Sequence, residues 1–288
     1  MKNLRYLILL LPLLLSACGG GQQAVKTDTD LPPVTLQMSP PAKALGFDVE
    51  ITSTSQFGGR VMEQFVNYHW KADRWRDESD STRTARVKFS KVKGMQRTGS
   101  ATTMDPIDVF DRLEGFSIDY RLDAEGFEHQ EEPLKDPEFM GAYGQLRMGM
   151  NALDFPSSDT PRAAGETWTE AMPLEEMGPI ADVAQDSLIH MTYVGRGQWK
   201  TYEIAKVKIL AEIPLDGTIE QGPARSEIKG RVKSQGTGFY APELGFFVYY
   251  QGKLETLLNM NDYGEDGERM GGEKTLEQTG QVKISYRG

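Results

Sequence analysis

Between Ala205 and Ile213 every second residue is apolar: Ala205, Val207, Ile209, Ala211 and Ile213 alternate with Lys206, Lys208 and Glu212. Successive side chains of a strand point to opposite faces, so this pattern describes a strand with one face buried and the other in water. The same period recurs at Met62, Val66, Tyr68 and Trp70, and at Ile228 and Val232 against Lys229, Arg231 and Lys233. It returns at Phe246, Val248, Tyr250 and Leu254 against Gln251, Lys253 and Glu255, and at Val282, Ile284 and Tyr286. Turn-forming residues fall between these stretches, at Asp123 to Gly126, Asp216-Gly217, Pro242 to Gly245 and Glu265 to Gly267. Short connections of this kind join antiparallel neighbours. The expectation is a mainly β chain built on one-sided antiparallel strands.

One segment departs from the period of two. Asp136 suits a helix cap, Pro137 the first helical position, and Glu138 the positive end of the helix dipole. Phe139, Tyr143, Leu146, Met150 and Leu153 then follow at steps of four and three, which puts them on one stripe of a helix over 137–153. Gly141, Gly144 and Gly149 each cost about 1 kcal/mol relative to alanine inside a helix. Such a helix needs tertiary support. Its small residues away from the stripe let a second surface approach, which predicts a helix in the hollow of a curved sheet.

The chain opens with Lys2 and Arg5, then an apolar run from Tyr6 to Leu15, then Ser16, Ala17 and Cys18. A charged start, a short apolar middle and small residues before a cut make a secretory signal. Ten residues fall short of the roughly 20 needed to span a hydrocarbon core about 30 Å thick. Leu15-Ser16-Ala17-Cys18 resembles the lipobox of bacterial lipoproteins. That resemblance implies cleavage before Cys18, lipid attachment at Cys18 and a membrane anchor made of the attached acyl chains, palmitate among them. Gly19, rather than Asp, follows the cysteine, which in lipoproteins of two-membrane envelopes implies the outer membrane, facing the periplasm. Cys18 is the only cysteine of 288 residues, so no internal disulfide competes for it.

From Gly19 to about Ala42 come a triple glycine, Gln22, Gln23 and the pairs Pro32-Pro33 and Pro40-Pro41. This composition reads as a tether, flexible and then stiffer. The expected organisation is a signal peptide over 1–17, a lipidated tether over 18–42 and a single β-rich domain over 43–288. Removing Lys2 and Arg5 from the 32 basic side chains leaves 30 against 42 acidic ones, a formal charge of −12. A surface so acidic repels nucleic acid and anionic headgroups, so the lipid, not surface charge, must hold the chain to a membrane.

Motifs of catalysis are hard to find. His69, His129 and His190 are scattered, and no His/Cys spacing suits a metal. Ser90-Lys91-Val92-Lys93 matches a Ser-x-x-Lys pattern but stands on a strand-like stretch without companion motifs. The acidic group Asn261, Asp262, Glu265, Asp266 and Glu268 does not follow the spacing of a calcium loop and reads as a solvated hairpin tip. The expectation is a chain that is not an enzyme and takes no cofactor and no metal.

Ala164-Gly165-Glu166-Thr167-Trp168 and the run Gly236-Thr237-Gly238-Phe239-Tyr240-Ala241-Pro242-Glu243-Leu244-Gly245 resemble envelope lipoproteins of the lipoprotein-carrier and lipoprotein-receptor kind. The resemblance implies a strongly curved antiparallel sheet, a half-barrel, with one principal helix plugging or covering its concave face. None of the carrier family's functional residues can be recognised in this chain. The leading expectation is a lipid, an acyl chain or another apolar ligand held under the helix of 137–153, lined by Phe139, Tyr143, Leu146, Met150, Val207 and Ile209. The rival is a scaffold whose sheet is fully packed and whose partner is another envelope protein.

Overall fold

The computed structural model describes residues 32–37, 44–73, 76–77, 83–122, 127–129, 142–143, 145–146, 158–171, 184–185, 187–221, 224–264 and 266–288. The signal sequence, Cys18, Phe139 and Met150 lie outside the described residues.

The expected fold class is observed: a mainly β chain dominated by one unclosed, curved antiparallel sheet. Its strands are β2 (Leu45–Phe57), β3 (Arg60–Ala72), β4 (Arg76–Asp77), β5 (Arg83–Thr98), β6 (Asp105–Pro106), β7 (Ser117–Leu122), β8 (Phe127–His129), β10 (Thr167–Ala171), β11 (Leu188–Trp199), β12 (Tyr202–Gln221), β13 (Ala224–Ala241), β14 (Phe246–Tyr263) and β15 (Lys274–Tyr286). Eleven of them run in the order β10-β11-β12-β13-β14-β15-β2-β3-β5-β7-β8, and β4 and β6 pair with β5 off that path. A second, two-stranded ribbon joins β1 (Val34–Leu36) to β9 (Ser158–Arg162).

Two meanders are thus sewn together in the middle of the sheet. The first runs from β2 to β8 and the second from β10 to β15. Their seam is the pairing of the last strand with β2, in register from Leu276 opposite Phe57 to Tyr286 opposite Phe47. Past the seam the Arg287 amide donates to the Gly46 carbonyl at 2.9 Å. Both outer strands of the large sheet are short, five residues in β10 and three in β8. Short edges limit pairing with other chains.

Alternation decides which side of the sheet is buried. On β14, Leu254, Leu258 and Met260 are buried while Glu255, Leu257 and Asn259 face out. Ala205, Val207, Ile209, Ala211 and Ile213 all lie on the buried side of β12, as expected from their spacing. The outer face carries cross-strand ion pairs, among them Lys229 with Asp216, Lys233 with Glu212, Arg86 with Asp119 and Lys283 with Glu50. Exposed pairs of this sort contribute little each, but they keep that face soluble.

One expectation needs correction and one is refined. Asp216-Gly217 is not a turn. β12 runs through it, with Gly217 opposite Ile228 and the Lys229 ammonium 3.0 Å from the Asp216 carboxylate. A local turn preference of this size yields to a ladder that continues on both sides. The Ser90-Lys91-Val92-Lys93 stretch is a β-bulge, in which Lys91 takes φ +54° and Lys91 and Val92 stand where the partner strand has only Tyr68. Its match to a catalytic pattern is a match of letters, since the bulge breaks any helical spacing between Ser90 and Lys93.

Inside the stretch read as tether, Val34 and Leu36 form β1 and are buried in the main core. The Tyr240 hydroxyl donates to the Gln37 carbonyl at 2.6 Å, fixing that segment against β13.

Candidate functional site

The candidate site is the inner face of the curved sheet, where the buried residues of neighbouring strands meet in rows. One end is aromatic. Phe47 stacks on Trp70 at 4.6 Å between ring centroids and approaches Tyr286 at 5.4 Å, while Phe246 meets Tyr286 edge-on at 5.1 Å. Pairs in these geometries add about 0.5 to 1.5 kcal/mol each beyond their burial, so this end is firmly closed.

Residues 142–143 and 145–146, the described part of the expected helix, are helical, and all four are buried. Tyr143 packs edge-on against Phe89 and Phe116, with centroids 6.4 and 5.7 Å away. The Tyr68 hydroxyl donates to the Leu146 carbonyl. This places the segment on the inner face above β3 and β5. A second cover was not expected from the sequence: the one-turn helix α1 (Asp108–Asp111), whose Phe110 lies over Gly94. A Cβ at Gly94 would stand 2.1 Å from the Phe110 ring, so the glycine is what admits the ring. One turn of helix, without a side-chain cap at Ile107, leaves no periodicity to read.

Of the expected lining, Tyr143 and Leu146 sit over β3 and β5, while Val207 and Ile209 are buried on β12 beside Tyr193 and Met191. Four strands of the sheet path, β13, β14, β15 and β2, stand between the two groups. They share a face, and the sheet's curvature turns that face toward itself. Phe139 and Met150 fall outside the described residues.

Between these groups the inner face is low. Gly236 pairs directly with Gly252, and Gly280 stands opposite Leu254 on the next strand. All three are on the buried side. Beyond them comes a polar row: Ser55 opposite Gln278, and Gln278 opposite Thr256. Leu258 and Leu276 make the next row apolar again, and Lys274, Asp262 and Ser226 close that end of the face. Burial alone would raise the Asp262 carboxyl, but bonds from Lys274 and from the Ser226 hydroxyl outweigh it and hold the group below its ordinary value.

The histidines do not meet. His69 is on β3, His129 on β8 and His190 on β11. Burial, with Arg287 nearby, holds the His69 imidazole below its ordinary pKa despite the Asp48 carboxylate at 3.5 Å. Among the described residues no group of three or more His, Cys, Asp or Glu side chains is placed to hold a metal ion, and no helix is long and apolar enough to cross a membrane. Of the group read as a hairpin tip, Asp266 and Glu268 lie on the β14 to β15 connection, Asn261 and Asp262 lie at the end of β14, and Glu265 is outside the described residues. Asp262 is the exception within them, buried and paired.

No family model matches the chain, and no curated protein matches it either. Among solved structures it is similar to lipovitellin, in the structure describing lipid-protein interactions in lipovitellin. The two are 12% identical, with a TM-score of 0.50, over 88% of this chain and 26% of that one. The chain therefore spans 26% of the length of that protein, and the likeness is one of fold.

Proposed function

We propose that this chain is an envelope lipoprotein, anchored by lipid on Cys18 at the outer membrane and facing the periplasm, whose curved sheet binds a lipid or other apolar ligand without converting it. The observation that carries the binding half of this reading is the inner face itself. Sheets normally bury one face against a second layer. Here the large sheet is unclosed, its inner face is apolar along most of its length, and glycines lower that face where β13, β14 and β15 meet. A concave apolar surface with a few convergent polar groups is the ordinary form of a small-molecule site. The likeness to lipovitellin, a protein described with its lipid interactions, supports the same class of ligand.

Native mass spectrometry of the purified chain tests the binding half. The expected result is a population heavier than the polypeptide by the mass of a co-purified lipid, shed on activation. A single bare mass, from material never exposed to strong detergent, favours the scaffold reading, in which the burial of Leu146 and the packing of Tyr143 against Phe89 reflect an ordinary filled core.

The anchor rests on the sequence from Lys2 to Cys18 and is tested separately. Wild type is expected to incorporate labelled palmitate and to partition into detergent. Cys18→Ala should lose both, because a single thiol offers no second attachment point. Two or three acyl chains are needed for stable anchoring, at about 0.8 kcal/mol per buried CH₂. Processing of wild type without incorporation of lipid would contradict the anchor and leave the binding reading standing.

A further inference from the structure

We infer that the outer face of the sheet over β11 to β15 is the side on which the chain lies against an anionic lipid bilayer. This rests on the lipid anchor proposed above: the anchor holds the chain at a membrane, and the face sets which way it stands. Three neighbouring rows of paired residues cross these strands on the water side, through Lys206, Lys208 and Leu210 of β12. The first passes Phe239 and Tyr249, the second ends on Lys283, and the third contains Lys253. Their remaining members are serine, threonine, glutamine and histidine, and none of the side chains in the three rows is buried. The rows thus hold four lysines and no carboxylate, in a chain with 42 acidic side chains against 32 basic. Carboxylates begin only at the borders, with Glu212 and Glu255 in the next row and Glu50 on β2. Lys206 and Lys208 make no ion pair with a described residue, and Lys253 reaches Glu255 only at 4.0 Å.

The spacing of these charges defines the partner. Lys206 and Lys208 are about 7 Å apart along β12, and Lys253 lies two strands, about 10 Å, to the side. They do not converge on one point, as a site for a single small anion requires, but spread as a plane of headgroups does. Apolar side chains share the field. Leu210 is 50% exposed within it, and at its border half-buried Phe239 stacks on Tyr249 at 5.1 Å, with Trp199 6.1 Å from Tyr249. A hydrated polyanion gains nothing from an exposed leucine, whereas a bilayer interface takes up apolar and aromatic side chains beside lysines. The charge of the rest of the molecule acts in the same direction. An anionic surface repels a chain with this excess of carboxylates, so the approach of least repulsion is through the face that has none.

Lysine acetylation on vesicles tests this. The purified full chain is reconstituted with vesicles of phosphatidylcholine, alone or mixed with phosphatidylglycerol, floated, acetylated briefly and read lysine by lysine by mass spectrometry. Lys206, Lys208 and Lys253 are expected to label at least about fivefold more slowly on the mixed vesicles, the factor by which an anionic surface holds one nearby lysine. High salt should remove that protection. Lys88 and Lys229, exposed elsewhere on the sheet, should label at the same rate on both. Lys206→Glu with Lys208→Glu, at two water-facing positions, should lift the protection of Lys253 while the chain still floats. Equal rates on the two kinds of vesicle, in a chain that floats with both, overturn the face and leave the anchor standing. That comparison needs no variant. Equal slowing of Lys88 and Lys229 overturns the face too, as does a folded variant that keeps Lys253 protected. Slow labelling of the three lysines without vesicles, in a chain of dimeric mass, assigns the face to a second copy and overturns the bilayer. A chain that floats with neither kind of vesicle overturns the anchor, and the face with it.

Discussion

Deleting residues 274–288, which removes β15 alone, is expected to leave a chain with no cooperative unfolding transition. β15 is the last strand in sequence but stands sixth of eleven in the sheet, with β14 on one side and β2 on the other. Its loss separates the two meanders and exposes the inner faces of both neighbours. Leu276, Val282, Ile284 and Tyr286 are each at most 1% exposed. At about 1.5 to 3 kcal/mol per fully buried side chain they contribute roughly 6 to 12 kcal/mol, an upper estimate given a compact unfolded state. That is comparable to the whole stability of a typical domain, about 5 to 15 kcal/mol. Thermal circular dichroism checks it: the shortened chain should show a shallow, featureless melt. A sharp transition near that of the intact chain would mean that one meander folds alone, and would contradict the seam between β15 and β2 as the organising contact.

The second large effect lies at the other terminus. A chain begun at Lys43 is expected to be less stable than one begun at Leu31 by about 4 to 7 kcal/mol, although both lack the signal, Cys18 and the triple glycine. The difference between them contains β1. Val34 and Leu36 are buried in the core, β1 pairs with β9, and Tyr240 loses its acceptor at Gln37 when the segment is absent. Two aliphatic side chains at about 1.5 to 3 kcal/mol each and one hydrogen bond at about 1 kcal/mol make up the expected loss. Urea unfolding of the two chains, with equal slopes, measures it. Equal midpoints would show that the domain begins after β1 and that β1 is incidental to the core.

These two cases also mark where the sequence was legible. The long strands were, because each buries one face only and so alternates cleanly; Ala205 to Ile213 and Phe246 to Leu254 needed no tertiary information. The seam was not, because Leu276 and Phe57 are separated by most of the chain and pairing between distant strands leaves no local signal. β1 was hidden by its prolines: two apolar residues two apart, in a stretch whose composition reads as linker, are too few to set a period. Asp216-Gly217 misled in the other direction, since a turn-forming pair sits inside β12 where the Asp216 carboxylate meets Lys229 across the outer face. The polar row was within reach. Extending the alternation of β14 past Leu254 places Thr256 on the buried side, and an inward polar residue in such a strand is the signal that marks it.

Tyr143 and Leu146, expected from helical spacing to face an apolar surface, do face one, and Val207 and Ile209 lie on the same face of the sheet with four strands between. A site spread across so many strands depends on the shape of the whole sheet rather than on a motif. The lipid site proposed for the inner face accordingly leaves no local motif in the sequence.

The most direct test of that claim is photolabelling of the intact chain with a diazirine-bearing fatty acid, mapped residue by residue by tandem mass spectrometry. β14 supplies its own control, since Leu257 is 41% exposed on the outer face while Leu258, its neighbour, is 0% exposed on the inner one. The account predicts label on inner residues such as Leu254, Leu258, Val207 and Ile209, displaced by excess unlabelled lipid. Label confined to outer residues such as Leu257 and Leu210, or label that excess lipid does not displace, would contradict a lipid site on the inner face.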